Sequence, residues 1–277
     1  MSMHEIAPLL QDGDLRLRPM AEADLPALTG QLRDPQVSRW LAVVTPAFDA
    51  RELMAHDAHP GECVRVIEQD GAVIGGLCIG STLWYWLRPE SWGHGLMRRA
   101  LTLAIAARFR HAAPPLIATC HDDNVASRGL LAGLGFAPSP VRRRLFFQGS
   151  QRSEPCRDYI LAPEQWHLLH PPQITTTTAT LRPALQKDAP AIARLPAGAK
   201  LWPEDGCLAD FIESYRFRGD LKGLFTIEDD NRRMIGVALV NEDRVHLRFL
   251  TDEDDARHRA GVSEGLATWV AARAARA

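Results

Sequence analysis

Residues 84–99 read WYWLRPESWGHGLMRR, which indicates a strand of large residues, a Gly-x-Gly loop and the start of a helix. The bulky residues favour a strand over residues 83–87. Beyond the loop, apolar residues recur at the spacing of one helix face and predict a helix over residues 96–110. These apolar residues are Met97, Leu101, Ile105 and Phe109.

A helix that starts in a Gly-x-Gly loop favours an anion as its ligand. Its first N–H groups lack partners within the helix, and the helix dipole adds partial positive charge there. Gly93 and Gly95 let the backbone approach a phosphate closely, and Arg98 or Arg99 adds charge from the first turn. The loop alone is weak evidence, because an ordinary strand-to-helix turn has the same pattern. The motifs of P-loop nucleotidases and dinucleotide-binding folds are absent from this segment.

The order of predicted strands and helices that contains this loop occurs twice in the chain. Residues 17–28 and 181–192 share Leu, Arg, Pro, Asp, Pro and Ala in register. Each copy continues with a hairpin, a strand and a helix. The predicted hairpins cover residues 64–76 and 224–237. In the second copy a predicted strand over residues 245–250 is followed by an acidic loop at residues 252–255 and a helix over residues 262–273.

The first copy is longer than the second. It adds a predicted strand, a helix and two further strands, at residues 116–120, 124–134, 142–147 and 157–161. Pro171-Pro172 and four threonines follow and favour extended chain. We therefore predict a complete domain in residues 1–167, a Pro/Thr linker in residues 168–178 and a truncated, non-catalytic domain in residues 179–277.

The composition excludes a nucleic-acid or membrane role. The 277 residues carry 32 Lys and Arg against 34 Asp and Glu, a net charge of −2, which gives no positive field for nucleic acid or anionic lipid. No apolar run approaches the roughly 18–20 residues that span a bilayer, and residues 1–10 do not resemble a secretory signal. The five scattered cysteines form no CxxC pair, so we predict a cytoplasmic protein without a disulfide framework.

Several segments together carry a family resemblance. They are LRLRP at residues 15–19 with EADL at 22–25, PESWGHGL at 89–96, NVASR at 124–128 with LGF at 134–136, and DYIL at 158–161 with EQW at 164–166. Over residues 14–166 the sequence resembles the GNAT superfamily of acetyl-CoA-dependent N-acetyltransferases. The Trp-Gly-x-Gly loop with the Asn-x-x-Ser pattern resembles its branch of ribosomal-protein N-terminal acetyltransferases (RimJ/RimL-like).

The resemblance implies an α/β (α+β) fold and a donor site. The fold is a mixed, bent sheet flanked by helices, here followed by a truncated GNAT-like half-domain. Acetyl-CoA, the acetyl donor, is expected in a V-shaped gap between strands 83–87 and 116–120. Backbone groups are expected to bind its pantetheine, and the glycine loop its pyrophosphate. The expected cofactor residues are Tyr85, Trp86, Leu87, Trp92, Gly93, His94, Gly95, Leu96, Met97, Arg98, Asn124 and Ser127.

The sequence departs from the family pattern at two positions. Glu90 stands where the loop often has Gln or Arg, and a carboxylate facing a pyrophosphate would be repelled, so Glu90 is expected to point outward. Leu131 stands where many members have a tyrosine that protonates the leaving thiolate. The acid is therefore Ser127, a water molecule or nothing.

No residue stands out as the general base. Glu68, Glu90 and His121 are candidates, and each is also compatible with a solvated or capping side chain. A metal at the run His121-Asp122-Asp123 is not expected, because adjacent residues seldom converge on one ion. An α-amino group has a pKa near 8, so a water relay would suffice for it. Ser127, Glu68 and His121 are thus the predicted catalytic residues, with no metal ligand.

The sequence predicts one acetyltransferase site. The expected reaction is direct transfer from acetyl-CoA to a primary amine in a ternary complex, with a protein or peptide N-terminus or a small amine as acceptor. The alternatives are a non-catalytic acyl-CoA-binding or protein-interaction module, and a structural partner that binds no cofactor. The second domain is expected to pack on the first or to mediate dimerisation, since its truncated sheet exposes an edge.

Overall fold

The computed structural model describes residues 9–59, 61–80, 82–110, 113–196, 201–202, 206–219, 222–242 and 244–274. Residues 1–8, on which most of the argument against a secretory signal rests, lie outside this range. The chain divides into two compact units, the first Met1–Phe109 with Pro114–Ala162 and the second Arg110–Ala113 with Pro163–Ala277. Within the described residues, no helix has the length and apolar character needed to cross a membrane.

The first unit contains two sheets. One is antiparallel, with the strands in chain order, β1 (Leu10–Asp12), β2 (Leu15–Arg18), β3 (Val64–Gln69), β4 (Ala72–Ile79) and β5 (Leu83–Leu87). The other has the order β6-β8-β7, with β6 (Leu116–His121), β7 (Ala137–Phe147) and β8 (Arg152–Leu161). The helices are α1 (Leu25–Arg33), α2 (Pro35–Ser38), α3 (Arg51–Asp57), α4 (Leu96–Arg108) and α5 (Val125–Gly133). The mixed α/β fold with sheets flanked by helices, expected from the sequence, is confirmed.

Strands β5 and β6 are neighbours that separate from each other. A single parallel bridge between Thr82 and Ile117 joins them among the described residues. The strands otherwise belong to different sheets. Each strand is paired on its far side, β5 with β4 and β6 with β8. The gap that opens between β5 and β6 is where the sequence places the donor.

The second unit contains one five-stranded antiparallel sheet in the order β13-β12-β11-β10-β9. Its strands are β9 (Ile174–Thr175), β10 (Thr180–Pro183), β11 (Lys222–Glu228), β12 (Met234–Asn241) and β13 (Arg244–Phe249). Its helices are α6 (Pro163–Leu169), α7 (Ala189–Ile192), α8 (Leu208–Ser214) and α9 (Asp252–Ala274). The strand order is that of the first sheet of the first unit, and the additional C-terminal sheet fits the half-domain expected there.

The sequence repeat corresponds to a repeated ion-pair cluster. In the first unit, the Arg18 guanidinium donates to both oxygens of Asp24 at 2.7 and 2.8 Å and to Glu68 at 2.7 Å. In the second unit, Arg182 makes the same contacts with Asp188 and Glu228, at 2.8–2.9 Å. Each cluster ties the turn before the first helix to two neighbouring strands. The shared Arg and Asp positions are thus explained by structure.

Two predicted boundaries are wrong. Helix α9 begins at Asp252, ten residues before the predicted start, so the acidic run expected in a loop forms its first turn. The Thr251 hydroxyl donates to the Asp254 carboxylate at 2.8 Å and accepts from the Asp254 N–H at 3.0 Å, and acidic residues are stabilised at a helix N-terminus. Part of the predicted linker is also a strand, because Thr176 and Ala179 close a turn that folds β9 onto β10.

The Arg18 cluster provides a test of what holds the first unit together. Replacing Asp24 with Asn removes the charge from a buried carboxylate that Arg18 binds through two hydrogen bonds. We expect the free energy of unfolding at neutral pH to fall by about 1.5–3 kcal/mol, measured by urea titration. The matched control is Glu22→Gln, an exposed acid in the same turn, which should change little.

The same pair predicts a pH dependence. The hydrogen bonds from Arg18 hold the pKa of Asp24 below its ordinary value. Its stabilising contribution is therefore present above that ordinary value and is lost as the pH falls through the lowered pKa. The difference between wild type and Asp24→Asn should shrink in acid. A difference that stays constant from neutral to acidic pH would contradict this role for Asp24.

Candidate active site

The glycine loop at the start of α4 is preorganised for an anion. Gly93 and Gly95 have φ of 79° and 73°, in the left-handed region that favours glycine. Gly95 is the residue that precedes the helix, and no side chain caps the helix there. A Cβ at either glycine would find no described atom within 4 Å. The first N–H groups of a thirteen-residue helix therefore lie beside open space.

The two arginines after the loop have different partners. Arg98 lines the adjacent cavity and donates from Nη1 to the carbonyl of Gly133 at 2.9 Å. Arg99 binds the carboxylates of Asp12 and Asp14 at 2.7 and 2.8 Å, and its hydrogen bond lowers the pKa of Asp14 to about 2. Arg98 is therefore the arginine available to an anion in the loop, in keeping with its place in the predicted set.

A cavity of about 400 Å³ lies next to the loop. It is lined by Val37, Trp40, Leu41, Tyr85, Trp86, Leu87, Ser91, Trp92, Gly93, Gly95, Leu96, Met97, Arg98, Asn124, Ala126, Ser127 and Leu130. All predicted cofactor residues except His94 belong to this lining, and His94 is exposed. Glu90 is also exposed and does not line the cavity, as its charge predicts.

The backbone of β5 presents polar groups to the gap. Arg88 N–H donates to the carbonyl of Ile74 on β4 at 2.9 Å. In an antiparallel pair, successive residues alternate between facing the partner and facing away, so the N–H and C=O groups of Tyr85 and Leu87 face away from β4. The Leu87 carbonyl accepts from the Trp92 indole Nε1 at 2.9 Å. The Leu87 N–H and the Tyr85 backbone are thus directed to where the donor is expected.

Tyr85 and Ser127 form a hydrogen-bonded pair in the cavity wall. The Tyr85 hydroxyl lies 2.8 Å from Ser127 Oγ, and burial raises the pKa of the Tyr85 phenol. Asn124 caps α5 by accepting from the Ser127 N–H at 3.1 Å, which fixes the first turn of that helix. The side chain of Tyr85 was missed as a functional group, because its contact with Ser127 joins a strand to a helix 42 residues away.

The other two predicted catalytic residues lie elsewhere. Glu68 is not part of the cavity lining, and Arg18 and Arg16 hold its carboxylate at 2.7 and 3.6 Å. His121 is also outside the lining, and its Nδ1 accepts from the Asp123 N–H at 3.0 Å. When Nδ1 accepts, the hydrogen of a neutral ring is on the other nitrogen, so the one ring lone pair is already engaged by the backbone.

Hydrophobic residues from α2 and the following turn complete the cavity. Val37, Trp40 and Leu41 line it, and the Trp40 ring contacts His121 edge-on with centroids 5.6 Å apart. His121 in turn packs on Phe147 at 5.6 Å. Sequence reasoning did not identify these three residues, since no periodic or motif signal marks them.

One family model matches this part of the chain. It is the Acetyltransferase (GNAT) domain, matched by residues 14–137, a segment that includes the glycine loop, Tyr85 and Ser127. A search of curated proteins found no match.

Several solved structures match the chain in part. RimJ of Mycobacterium smegmatis in complex with CoA-disulfide has 23% identity and a TM-score of 0.45, over 53% of this chain and 81% of that chain. An acetyltransferase from Salmonella typhimurium that modifies the N-terminal serine of ribosomal protein L7/L12 has 18% identity and a TM-score of 0.46, over 54% and 95%. The microcin C7 self-immunity acetyltransferase MccE, with acetyl-CoA and AMP, has 16% and 0.46, over 54% and 92%.

The family match and the geometry concern the same residues. The glycine loop, the two strands that border the gap and the helix α5 that carries Ser127 all lie within the matched segment. Over residues 14–137 the chain is therefore similar to the Acetyltransferase (GNAT) domain, in the segment that carries the glycine loop and Ser127.

Proposed function

We propose that the first unit acetylates a primary amine, with the N-terminus of a protein or peptide, or a small amine, as the acceptor. The observation that carries the proposal is the uncapped start of α4 beside a cavity that contains the Tyr85–Ser127 pair. Donor and amine meet in one ternary complex, because the cavity offers no side chain that is suited to carry the acetyl group. Cys120 lies nearby, but burial raises its pKa, and it is not part of the lining.

The residues present fit acetyl-CoA. The first N–H groups of α4, with Arg98, suit the pyrophosphate, which needs donors and positive charge. The backbone groups of Tyr85 and Leu87 suit the pantetheine amides, which need one donor and one acceptor each. Apolar side chains such as Met97 and Leu130 suit the methylene parts of the arm. Acetyl-CoA supplies a thioester carbonyl that an amine can attack.

The chemistry then depends on positioning and on two hydrogen-bond donors. Holding amine and thioester together contributes roughly 7–11 kcal/mol to lowering the barrier. The Leu87 N–H is placed to stabilise the oxygen of the carbonyl as negative charge develops on it. The new C–N bond forms, the C–S bond breaks, and the leaving sulfur departs as a thiolate. The amine's surplus proton passes to water.

Ser127 is the residue assigned to the leaving sulfur, and Tyr85 is a positioning residue. Because burial raises the pKa of Tyr85, its phenol stays protonated and can donate to Ser127 Oγ. The Ser127 hydrogen is then free to point at the thiolate. Tyr85 would be a poor source of the proton itself, since a thiolate is a weaker base than a buried phenolate. A hydrogen bond from Ser127 to the thiolate therefore takes the place of protonation by a tyrosine, since Leu131 stands where many family members have that tyrosine.

The acceptor preference follows from the lack of a side-chain base. Glu68 is held by Arg18 and His121 by its backbone contact, so the amine must reach the site already neutral or lose its proton to water. At about pH 7.5, roughly a third of α-amino groups are neutral, against about one lysine in 800. An N-terminal or weakly basic amine is favoured over lysine for this reason.

The second unit is proposed to be non-catalytic. The start of α9 corresponds in position to that of α4, but its cap residue is Thr251 and its first turn is acidic. Asp254 there pairs with Arg233 at 2.9 Å. Acidic residues at this end of the helix would repel a pyrophosphate. Asp254 also engages the Arg233 guanidinium, which could otherwise bind an anion. We therefore expect one donor site per chain.

Donor binding should depend on Gly93. In Gly93→Asp, the new carboxylate lies where the pyrophosphate is expected, so acetyl-CoA affinity should fall more than about tenfold. Calorimetric titration of the full-length protein measures this and should give one molecule per chain for the wild type. Two molecules per chain would overturn the proposal for the second unit, and undetectable binding to the wild type would overturn the donor site.

Gly71 provides a matched control for this change. It also has φ of 79°, with no described atom within 4 Å of an added Cβ, and it lies in the β3–β4 turn. Gly71→Asp should therefore carry the same backbone strain, about 1 kcal/mol, and leave acetyl-CoA affinity unchanged. Equal affinity losses in the two variants would show that strain, and not the loop, causes the effect.

Ser127 and Tyr85 should act together on turnover. Ser127→Ala removes a hydrogen bond to a charged sulfur, which is about 1.5–3 kcal/mol or a 10- to 150-fold loss of kcat. Tyr85→Phe should lower kcat in the same direction, with KM for acetyl-CoA changed less than about threefold. The double variant should be no worse than Ser127→Ala. Steady-state assays of CoA release decide, and independent, multiplicative losses would contradict a shared role.

The acceptor class is tested with two peptides of the same sequence. One has a free N-terminus and acetylated lysines, and the other has a blocked N-terminus and free lysines. At about pH 7.5 the first should be acetylated roughly 250-fold faster, from the ratio of neutral amines. Rates should rise with pH until the acceptor amine is neutral. Equal rates for both peptides would point to a base that the cavity does not show.

A further inference from the structure

Three potential metal ligands from different elements meet in the first unit, outside the cavity lining. They are His56 on α3, Glu62 in the connection to β3, and Cys78 on β4. One ligand atom from each lies within 4.8 Å of the others. Among the described residues this is the one group of its kind, and the proposed acetyl transfer does not use it.

Two of the three separations are close to those of a tetrahedral site, and the third is below 4.8 Å. His56 Nε2 lies 3.5 Å from Glu62 Oε2, and Cys78 Sγ lies 3.2 Å from the same oxygen. With Zn–N and Zn–O near 2.0 Å and Zn–S near 2.3 Å, tetrahedral angles place N and O about 3.3 Å apart, and S and O about 3.5 Å apart. The side chains therefore need only small adjustments to share one ion.

The surroundings of His56 Nε2 and of the Cys78 sulfur also favour a bound ion. His56 Nε2 is buried and makes no aligned hydrogen bond among the described residues, its 3.5 Å approach to Glu62 Oε2 included, although the side chain as a whole is 39% exposed. Buried polar atoms without partners are rare and usually indicate a missing ligand or water. Cys78 is fully buried, so its sulfur cannot be reached by a large molecule, whereas an ion can enter along the exposed side of His56.

We propose that His56, Glu62 and Cys78 bind one divalent transition-metal ion, with Zn²⁺ as the best match to their donor atoms. A neutral imidazole, a carboxylate and a thiolate form a mixed N, O and S set that Zn²⁺ accepts. The two negative charges balance the ion, which a largely buried site requires. Three protein ligands leave a fourth position for water.

Binding must displace the proton of the Cys78 thiol. In the structure this thiol donates to Glu62 Oε2 at 3.2 Å, so it carries its proton before an ion arrives. An ion that binds sulfur removes that proton, which then passes to the buffer. Burial lowers the pKa of Arg108, and the Glu62 carboxylate partly offsets this. A carboxylate has two oxygens and can serve both the ion and a nearby cation.

An ion here would fix the segment between α3 and β3 to the sheet. The His56 ring packs on Trp84 with centroids 5.9 Å apart, and Trp84 stacks on Trp86 at 5.7 Å. Trp86 lines the donor cavity. The proposed site is thus connected by packing to the cavity wall, while none of its ligands is part of the acetyl-transfer machinery.

The test uses the full-length protein after treatment with a chelator, in a Cys207→Ser background because Cys207 is exposed. Titration with Co²⁺ should give one equivalent of a tetrahedral complex with a thiolate charge-transfer band in the ultraviolet. Zn²⁺ should displace it, and calorimetry in buffers of different ionisation heat should detect the released proton. Cys156→Ser, a second buried cysteine, should leave all of this unchanged.

Two variants decide the assignment. Cys78→Ser should abolish the thiolate band, and His56→Gln should weaken Zn²⁺ binding more than about 100-fold, beyond the loss expected for a residue that only supports a ligand. If circular dichroism shows that Cys78→Ser does not fold, the partly exposed His56 decides alone. A missing band in the wild type, a band that persists in Cys78→Ser, or an affinity unaffected by His56→Gln would overturn the proposal.

Discussion

The separation of β5 from β6 is the constraint on which the donor site depends. A strand whose outer N–H and C=O groups face a neighbour would use them in a sheet. Here the sheet is interrupted beyond the bridge between Thr82 and Ile117, so Tyr85 and Leu87 keep backbone groups for a ligand. The same separation makes room for the first turn of α5, and thereby brings Ser127 within 2.8 Å of Tyr85. A closed sheet would use these backbone groups for its own hydrogen bonds and would leave no cavity.

The aromatic strand β5 requires space on the neighbouring strand. Trp86 packs against Gly76 of β4, where a Cβ would collide with the indole ring. The hydrophobic cluster that includes Trp86 holds the strand in place from one face, while Tyr85 points to α5 on the other. In the second unit, Gly236 on β12 corresponds to Gly75, the neighbour of Gly76, because a Cβ at either position would collide with the backbone of the next strand. Both copies therefore use a glycine at this strand for close packing, and only the first adds the aromatic residues that form a cavity.

Local sequence signals predicted those elements whose residues interact with near neighbours. The strand Leu83–Leu87 and the hairpin over residues 64–76 were predicted at the positions where they occur, because the preference of bulky residues for strands and the chemistry of turns are local. The start of α9 was not, because its acidic first turn has the composition of a loop, and the Thr251–Asp254 cap was overlooked. Most residues of the cavity lining on β5, α4 and α5 followed from motifs, whereas the Tyr85 hydroxyl, the His121 contact and the cluster around Glu62 depend on tertiary neighbours that sequence spacing does not reveal.

The two long helices show how the start of a helix decides whether a unit can bind an anion. Helix α9 satisfies its own first turn through Thr251, Asp254 and Arg233, a self-contained arrangement that stabilises the helix without a ligand. Helix α4 has no such side-chain cap at Gly95, and two glycines in the left-handed region precede it. Both features reduce the stability of the helix start. That cost is offset elsewhere, partly by the apolar residues with which α4 packs into the unit. An uncapped start is expected to persist where a ligand completes it, and the cavity beside α4 is where such a ligand fits.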